Sequence, residues 1–222
     1  MDATTSADEH RSAQELVREA NHRIANHLTL LTAMIQLQID GLKTGPEQLT
    51  RRQASDHLRA AVARIVSIGN LHRRLSALPE ESIDLAEFLS GSRTELLTSL
   101  AVGNRLHVEE RLSSGCAVTA EQASIVSLVI GEIIVNALKY AHPTGGPVFL
   151  RLSCARARRN IVVEIADDGV GLPEGFDEKR DGGVGFKLMR NLLRKIGARL
   201  AYKSSPQGLA FRITVPPIPT SD

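Results

Sequence analysis

No residue of the chain is tryptophan, and aromatic residues of all kinds make up 3% of its 222 positions. That scarcity bears on the basic stretch "RLSCARARR", where Arg151, Arg156, Arg158 and Arg159 cluster with no ring between them. Surfaces that grip single-stranded nucleic acid interleave cations with stacking platforms, so a solvated hairpin is the better reading. A formal net charge of +2 is too small to argue for nucleic acid or an anionic membrane. There are two cysteines, Cys116 and Cys154, distant in sequence and outside any metal-ligand spacing. That usage fits ordinary packing in a reducing compartment. No apolar run reads as membrane-spanning, and "MDATTSADEHRSAQ" is polar and acidic where a secretory leader is basic and then apolar. A cytoplasmic protein is expected, with no nucleic-acid partner and no membrane insertion. Two motifs are missing as well: neither G-x-x-x-x-G-K-[ST] nor G-x-G-x-x-G occurs, so the two commonest nucleotide fingerprints are absent.

Hydrophobic residues make up 42% of the chain, enough for real cores in one large or two small domains. Residues 1–12 are small, polar and aperiodic, and are expected to form a disordered tail. From Leu16 the apolar positions run Leu16, Ala20, Ile24, Leu28, Leu31 and Ile35, in steps of three and four. That spacing predicts an amphipathic helix ending near Asp40 and Gly41. "GLKTGPEQ" breaks it, and a second stripe (Leu58, Ala61, Val62, Ile65, Ile68, Leu71, Leu75) runs until Pro79. Two long helices joined by a short loop make an antiparallel hairpin over 13–80. Alone it would leave an apolar stripe exposed, so it is expected to dimerise into a four-helix bundle.

The pattern changes after Pro79, and a second domain is expected over 81–222. "IDLAEFLSGSRTELLTSL" reads as a short strand or lead-in followed by a helix. "RLHVEERL" is a strand, and "TAEQASIVSLVIGEIIVNALKYAH" is a helix apolar nearly all round at its centre, hence buried. "PVFLRLSCA" and "NIVVEIAD" are strands across a basic turn. After a glycine-rich segment come the helix "GFKLMRNLLRKIG" and the strands "ARLAYKS" and "LAFRITVP". The expected fold is α+β: the helical hairpin, then an α/β sandwich with one mixed sheet and helices on one face.

Three stretches in this second domain carry chemistry. In "GEIIVNALKYAH", Glu132, Asn136 and Lys139 are spaced four and three along a helix and project from one side. Polar heads on a buried helix cost several kcal/mol unless satisfied. They form either a buried polar network or a magnesium and phosphate face, with the Asn136 carboxamide as a hard ligand and Lys139 as a point charge. In "ADDGVGLPEG", Asp167 closes a strand, and Gly169 and Gly171 let the backbone turn tightly and approach a ligand. A carboxylate at a pocket floor accepts a hydrogen bond from an exocyclic amine, although D-D-G alone is more often a plain turn. In "DGGVGFKLMRNLL", Gly183 and Gly185 open a helix whose free N–H groups and dipole suit an anion. The preceding "LPEGFDEKRDG" is polar, flexible and the right size for a lid.

"GEIIVNALKYA", "IADDGVGLP" and "GGVGFKL" resemble the N, G1 and G2 boxes of the GHKL-type (Bergerat) ATP-binding domain shared by histidine kinases, type II topoisomerases and Hsp90-like chaperones. The resemblance covers 81–222 and implies the following roles. Asn136 would bind Mg²⁺ with Glu132 one turn before it, and Lys139 would contact phosphate. Asp167 would read the adenine amine of ATP, and Gly169, Gly171, Gly183 and Gly185 would shape the pocket and lid. In the closing strand, "QGLAFRITVP" matches a G-T-x-F pattern except that Leu209 stands in place of the threonine. Of these relatives, histidine kinases place a helical hairpin immediately before the ATP domain. "EANHRIANHL" is similar to the H-R-x-x-N phosphoacceptor box of one histidine-kinase subgroup, related to the group named for its His, Trp and Glu signatures. Without tryptophan the chain is not a strict member of that named group.

On that resemblance His22 takes the phosphoacceptor position. A neutral imidazole is a competent nucleophile, with an ordinary pKa of about 6.5. Attack on a γ-phosphate needs chiefly positioning and charge neutralisation, here from Mg²⁺, Lys139 and Arg23. At about 100° per residue, Asn26 lies about 40° round the helix from His22 and one turn after it, and Glu19 about 60° round and one turn before it. Either can orient the ring, and Glu19 can also take its proton. Arg23 occupies the place directly after the histidine where many other kinases have an acid. His142 follows the N box and is assigned no role. The expected activity is an ATP-dependent protein histidine kinase passing its phosphoryl group to an aspartate on a response-regulator receiver domain. The signal would come through a separate sensor protein or a longer chain. The alternatives are a histidine-phosphotransfer adaptor with a degenerate ATP domain, and a serine kinase or anti-sigma switch.

Overall fold

The computed structural model describes residues 82–100 and 105–218, with six further positions at 25, 32, 35, 39, 50 and 51. The expected tail and, apart from those six positions, the hairpin lie outside the described residues, as do Glu19, His22, Arg23 and Asn26.

The described chain runs β1 (Ile83–Asp84), α1 (Leu85–Leu100), β2 (Leu106–Leu112), β3 (Ala117–Val118), α2 (Ala120–Tyr140), β4 (Val148–Ala157), β5 (Asn160–Asp167), α3 (Glu178–Asp181), α4 (Gly183–Lys195), β6 (Arg199–Ser205) and β7 (Gly208–Val215). Five strands form one mixed sheet in the order β2-β4-β5-β7-β6, and β1 pairs with β3 in a separate two-residue ladder. Alternation sets its two faces. In β4, Val148, Leu150, Leu152 and Cys154 are buried while Phe149 and Arg151 are exposed. The buried set meets the apolar sides of the helices, including Phe88, Val129, Ile133, Met189 and Leu193. The result is the expected sandwich of one sheet with helices on one face.

The pairing of β2 with β4 is parallel, from Leu106↔Val148 to Leu112↔Cys154. A parallel pair needs a long crossover, and α2 is it. Its start is fixed by a capping box: Gln122 N–H donates to Thr119 Oγ1 at 3.1 Å, and Thr119 N–H donates to Gln122 Oε1 at 3.0 Å. The Gln122 amide also donates to the Pro216 carbonyl at 3.2 Å, tying the helix start to the chain beyond β7. By length and composition α2 is apolar enough to cross a membrane, which corrects the expectation that no run reads that way. The physical reason is burial, since 67% of its most apolar window lies inside the domain.

The two cysteines meet in this core although they are distant in sequence. Cys116 Sγ donates to the Ser113 carbonyl at 3.3 Å, and Ser113 N–H donates to the Cys154 carbonyl at 2.8 Å. Burial and a hydrogen-bonding contact with Cys116 push the Cys154 thiol far above its ordinary pKa. Both are free, as packed thiols would be.

The segment expected to be a flexible lid is instead fastened at its far end. Phe176 lies 5.6 Å from Phe186, ring centre to ring centre, and Phe186 lies 5.5 Å from Tyr202 and 5.7 Å from Phe211. Four of the chain's few aromatic rings thus gather beside α3 and the first turn of α4. Arg190 makes a bidentate bond to Glu178 (2.5 and 2.6 Å) and a third bond to the Leu200 carbonyl at 2.6 Å. One guanidinium therefore joins α3, α4 and β6.

That guanidinium holds the Glu178 carboxyl below its ordinary range. A depressed carboxylate pKa contributes stability that is present above the unfolded value and lost as pH falls through the folded one. Both side chains are partly exposed, at 38% and 22%, so the pair is worth about 1 kcal/mol. Arg190→Met is expected to lower Tm at pH 7 by roughly 2–4 °C. The deficit should shrink in acid toward the part due to the lost Leu200 bond, as followed by thermal melts across pH.

Candidate active site

The three polar residues of α2 sit at graded depth. Glu132 is 4% exposed, Asn136 is half-buried, and Lys139 is exposed near the helix end. The start of α4 lies over the first two. A Cβ placed on Gly185 would come 3.1 Å from Glu132 Oε1 and 3.3 Å from Asn136 Nδ2. Gly183 is a glycine for a different reason: it has open space around it but a φ of +48°. Gly182, at the N-cap, provides no side-chain cap, which leaves the first N–H groups of this 13-residue helix for other acceptors.

Asp167 ends β5, with its Oδ1 accepting from Gly169 N–H at 2.9 Å and Leu209 N–H at 3.2 Å. The turn that follows is built from close backbone contacts. A Cβ on Gly169 would lie 2.4 Å from Ala141 Cα, and one on Gly208 would lie 2.0 Å from the Asp167 carbonyl. Gly171 has a φ of +71° and would place a Cβ 2.3 Å from the Ser205 carbonyl. Val170 N–H donates to the Ala141 carbonyl at 3.0 Å, and Leu172 N–H donates to Ser204 Oγ at 2.7 Å. Leu209, where a threonine was expected, serves Asp167 through its backbone.

Two glycine-bearing loops therefore converge on α2 and its C-cap, one at Glu132 and Asn136, the other at Ala141. Of the residues singled out from sequence, Glu132, Asn136 and Gly185 come into one cluster. Asp167, Gly169 and Gly171 form the adjoining turn. Lys139 and Gly183 are exposed at the edges. Among the described residues no three His, Cys, Asp or Glu side chains gather to hold a metal. A hard cation here would need the Asn136 amide oxygen, backed by Glu132, with the remaining ligands from phosphate and water. The cradle left by the missing Cβ of Gly185 suits that donor set.

One pair went unread in the sequence. Asp168 Oδ1 accepts from Phe149 N–H at 3.0 Å and contacts His142 Nε2 at 3.1 Å. Burial raises the Asp168 pKa, but the Phe149 and His142 bonds together outweigh it, so the carboxyl lies below its ordinary range. The only cue was position: Asp168 directly follows Asp167 in "ADDGVGLPEG", and His142 closes "GEIIVNALKYAH". On β2 and β4 a cavity of about 670 Å³, lined by His107, Glu109, Phe149 and Arg151, reaches Asp167 and Asp168. None of Glu132, Asn136 or Gly185 lines it, so it is distinct from the convergence on α2.

Residues 121–219 match the family described as histidine kinase-, DNA gyrase B-, and HSP90-like ATPase. Residues 19–100 match the family described as histidine kinase. The chain is 25% identical over 183 residues to the sensor histidine kinase PdtaS of Mycobacterium tuberculosis, which spans 82% of this chain and 35% of that protein. It is 25% identical over 221 residues to blue-light-activated histidine kinase 2 of Erythrobacter litoralis, spanning 97% of this chain and 61% of that one. The chain therefore covers roughly a third to three fifths of these relatives' lengths. In fold it is similar to the histidine kinase domain of the Erythrobacter litoralis EL346 blue-light activated histidine kinase, with a TM-score of 0.66, 21% identity and 94% of each chain covered. Two family matches in this order, with the second centred on the helix and loops that build the site, mean that the chain belongs to the histidine kinases and carries an ATPase domain of the kind shared with DNA gyrase B and HSP90.

Proposed function

We propose that the protein is an ATP-dependent histidine kinase that phosphorylates its own His22 and passes the phosphoryl group to an aspartate of a response-regulator receiver domain. It would act in the cytoplasm as a homodimer, with residues 13–80 as the bundle-forming hairpin and 81–222 as the ATP-binding domain. Input would come from a separate sensor protein or from further sequence. The observation that carries this reading is the convergence of the Gly169 turn and the Gly185 helix start on the Glu132–Ala141 end of α2 and its C-cap. A scaffold has no need of a buried carboxylate facing a residue without a side chain.

Each residue has a distinct task in that reading. Asp167, oriented by the Gly169 and Leu209 N–H groups, presents its carboxylate to the exocyclic amine of adenine. Lys139 and the first N–H groups of α4 meet the phosphates. Asn136 and Glu132 would hold Mg²⁺, which when bound neutralises phosphate charge. The His22 imidazole nitrogen forms the N–P bond as the bond from the γ-phosphorus to the ADP oxygen breaks. Glu19 or Asn26 orients the ring from its other nitrogen, Glu19 also being able to take the proton there, while Arg23 offsets charge beside it.

Incubation with γ-labelled ATP and Mg²⁺ tests this. Wild type is expected to acquire acid-labile, base-stable label. His22→Ala should acquire none, and Asn136→Ala should label about a hundredfold more slowly. Acid-stable label that survives in His22→Ala would point to serine chemistry, and absence of both label and ATP binding would point to an adaptor. Gly169→Ala must push the turn off Ala141. It should cost about 1–3 kcal/mol in a denaturant melt and weaken nucleotide binding at least about tenfold by calorimetry.

A further inference from the structure

We propose that His142 and Asp168 form a positioning pair that seats the adenine-reading turn on the end of α2, and that its grip tightens when His142 is protonated. This rests on the proposed ATP site and assigns a role to two residues to which the motif resemblance gives none.

The contacts run in register. Three consecutive residues of the turn, Asp168, Gly169 and Val170, meet two consecutive residues beyond α2, Ala141 and His142. Val170 N–H bonds to the Ala141 carbonyl at 3.0 Å, Gly169 lies against Ala141 Cα, and Asp168 Oδ1 meets His142 Nε2 at 3.1 Å. The same Asp168 oxygen accepts from Phe149 N–H at 3.0 Å, so the pair also takes in the start of β4. Asp167 directly precedes this row, and the orientation of its carboxylate follows from where the row is fixed. His142 therefore acts through Asp167 without needing to touch nucleotide.

The charge logic follows from the geometry. Phe149 N–H donates to the Asp168 carboxylate at any pH. Nε2 of His142 is certain to donate only in the imidazolium, since a neutral ring can carry its proton on either nitrogen. Imidazole charge changes over about pH 5–8, well above the range in which Asp168 loses its charge. The pair is complete at the acidic end and weakens as pH rises. Other charged or titratable groups around the pair are Lys139 and Tyr140, just before His142 at the end of α2, and His107, Glu109, Arg151 and Asp167, which line the same cavity as Asp168. His107 needs a control, because it is a second imidazole and its ring stacks on Phe149 at 4.8 Å.

The test is calorimetric binding of the non-hydrolysable analogue AMP-PNP, with Mg²⁺, to the full chain at pH 6 and pH 8. His142→Gln keeps a donor but no charge, and its Kd ratio to wild type cancels the nucleotide's own titration. With side chains 27% and 41% exposed, the ratio is expected to be about two- to fivefold at pH 6 and near one at pH 8. Asp168→Asn should behave like His142→Gln, His142→Ala should be weaker at both pH values, and His107→Gln should follow wild type. A ratio equal at both pH values, or a pH dependence that disappears with His107→Gln, would overturn the proposal while leaving ATP binding intact. Failure of wild type to bind AMP-PNP would overturn the kinase reading and this inference together.

Discussion

The contact between Gly169 and Ala141 constrains the rest of the site. A Cβ at Gly169 would fall 2.4 Å from a backbone atom, and no rotamer relieves a clash between main chains. Once that approach is made, the depth of the β5 end relative to α2 is fixed, and Asp167 with it. Gly208 then has to pass within reach of the Asp167 carbonyl, which brings the start of β7 against the same turn. Leu209 N–H completes the bonding of the aspartate from that side. The site is thus organised from the backbone outward, with glycines where main chains cross.

α2 converts this packing into a gradient. The helix rises about 1.5 Å per residue, so Glu132, Asn136 and Lys139 span about 10 Å as it leaves the core. The carboxylate is buried, the amide lies at the boundary, and the ammonium is in solvent. A buried acid is firmly placed but costly to desolvate, while an exposed lysine is cheap to keep and loosely placed. In the proposed site, ordering the three by depth would give positional control near the cation ligands and adaptability near the outer phosphates. The aromatic cluster under Phe176 serves the other wall, anchoring the far end of the loop whose start is held by the close contacts of Gly169 and Gly171.

Much of this was legible in the sequence, for physical reasons. The β-rich runs "PVFLRLSCA" and "NIVVEIAD" on either side of a basic turn predicted β4 and β5, and the all-round apolar centre of α2 predicted its burial. Spacing alone put Glu132 and Asn136 on one side of that helix. The two-residue β1 and β3 were not legible as a pair, because two residues carry no period and their ladder joins positions 83 and 118. The parallel pairing of β2 with β4 was hidden because alternation is the same in either direction. Cys116 beside Cys154 and His142 beside Asp168 are long-range contacts set by how α2 crosses the sheet. The fastening of the lid by Arg190 was invisible for the same reason, since an arginine on an amphipathic helix reads as solvated until the fold brings Glu178 to it.

Glu132 and Gly185 are the places where local rules are broken together. An apolar side chain at position 132 would suit a helix buried on nearly every side. An alanine at 185 would favour helix formation by up to about 1 kcal/mol over glycine. Each exception makes sense only in view of the other: the carboxylate fills space that a Cβ at 185 would contest, and the missing Cβ leaves that carboxylate reachable from the start of α4. A core selected for stability alone would remove both. Mutually dependent exceptions at one point, in a domain whose patterning is otherwise consistent, are what a site under functional demand leaves behind. They weigh toward a working nucleotide site over a retained scaffold.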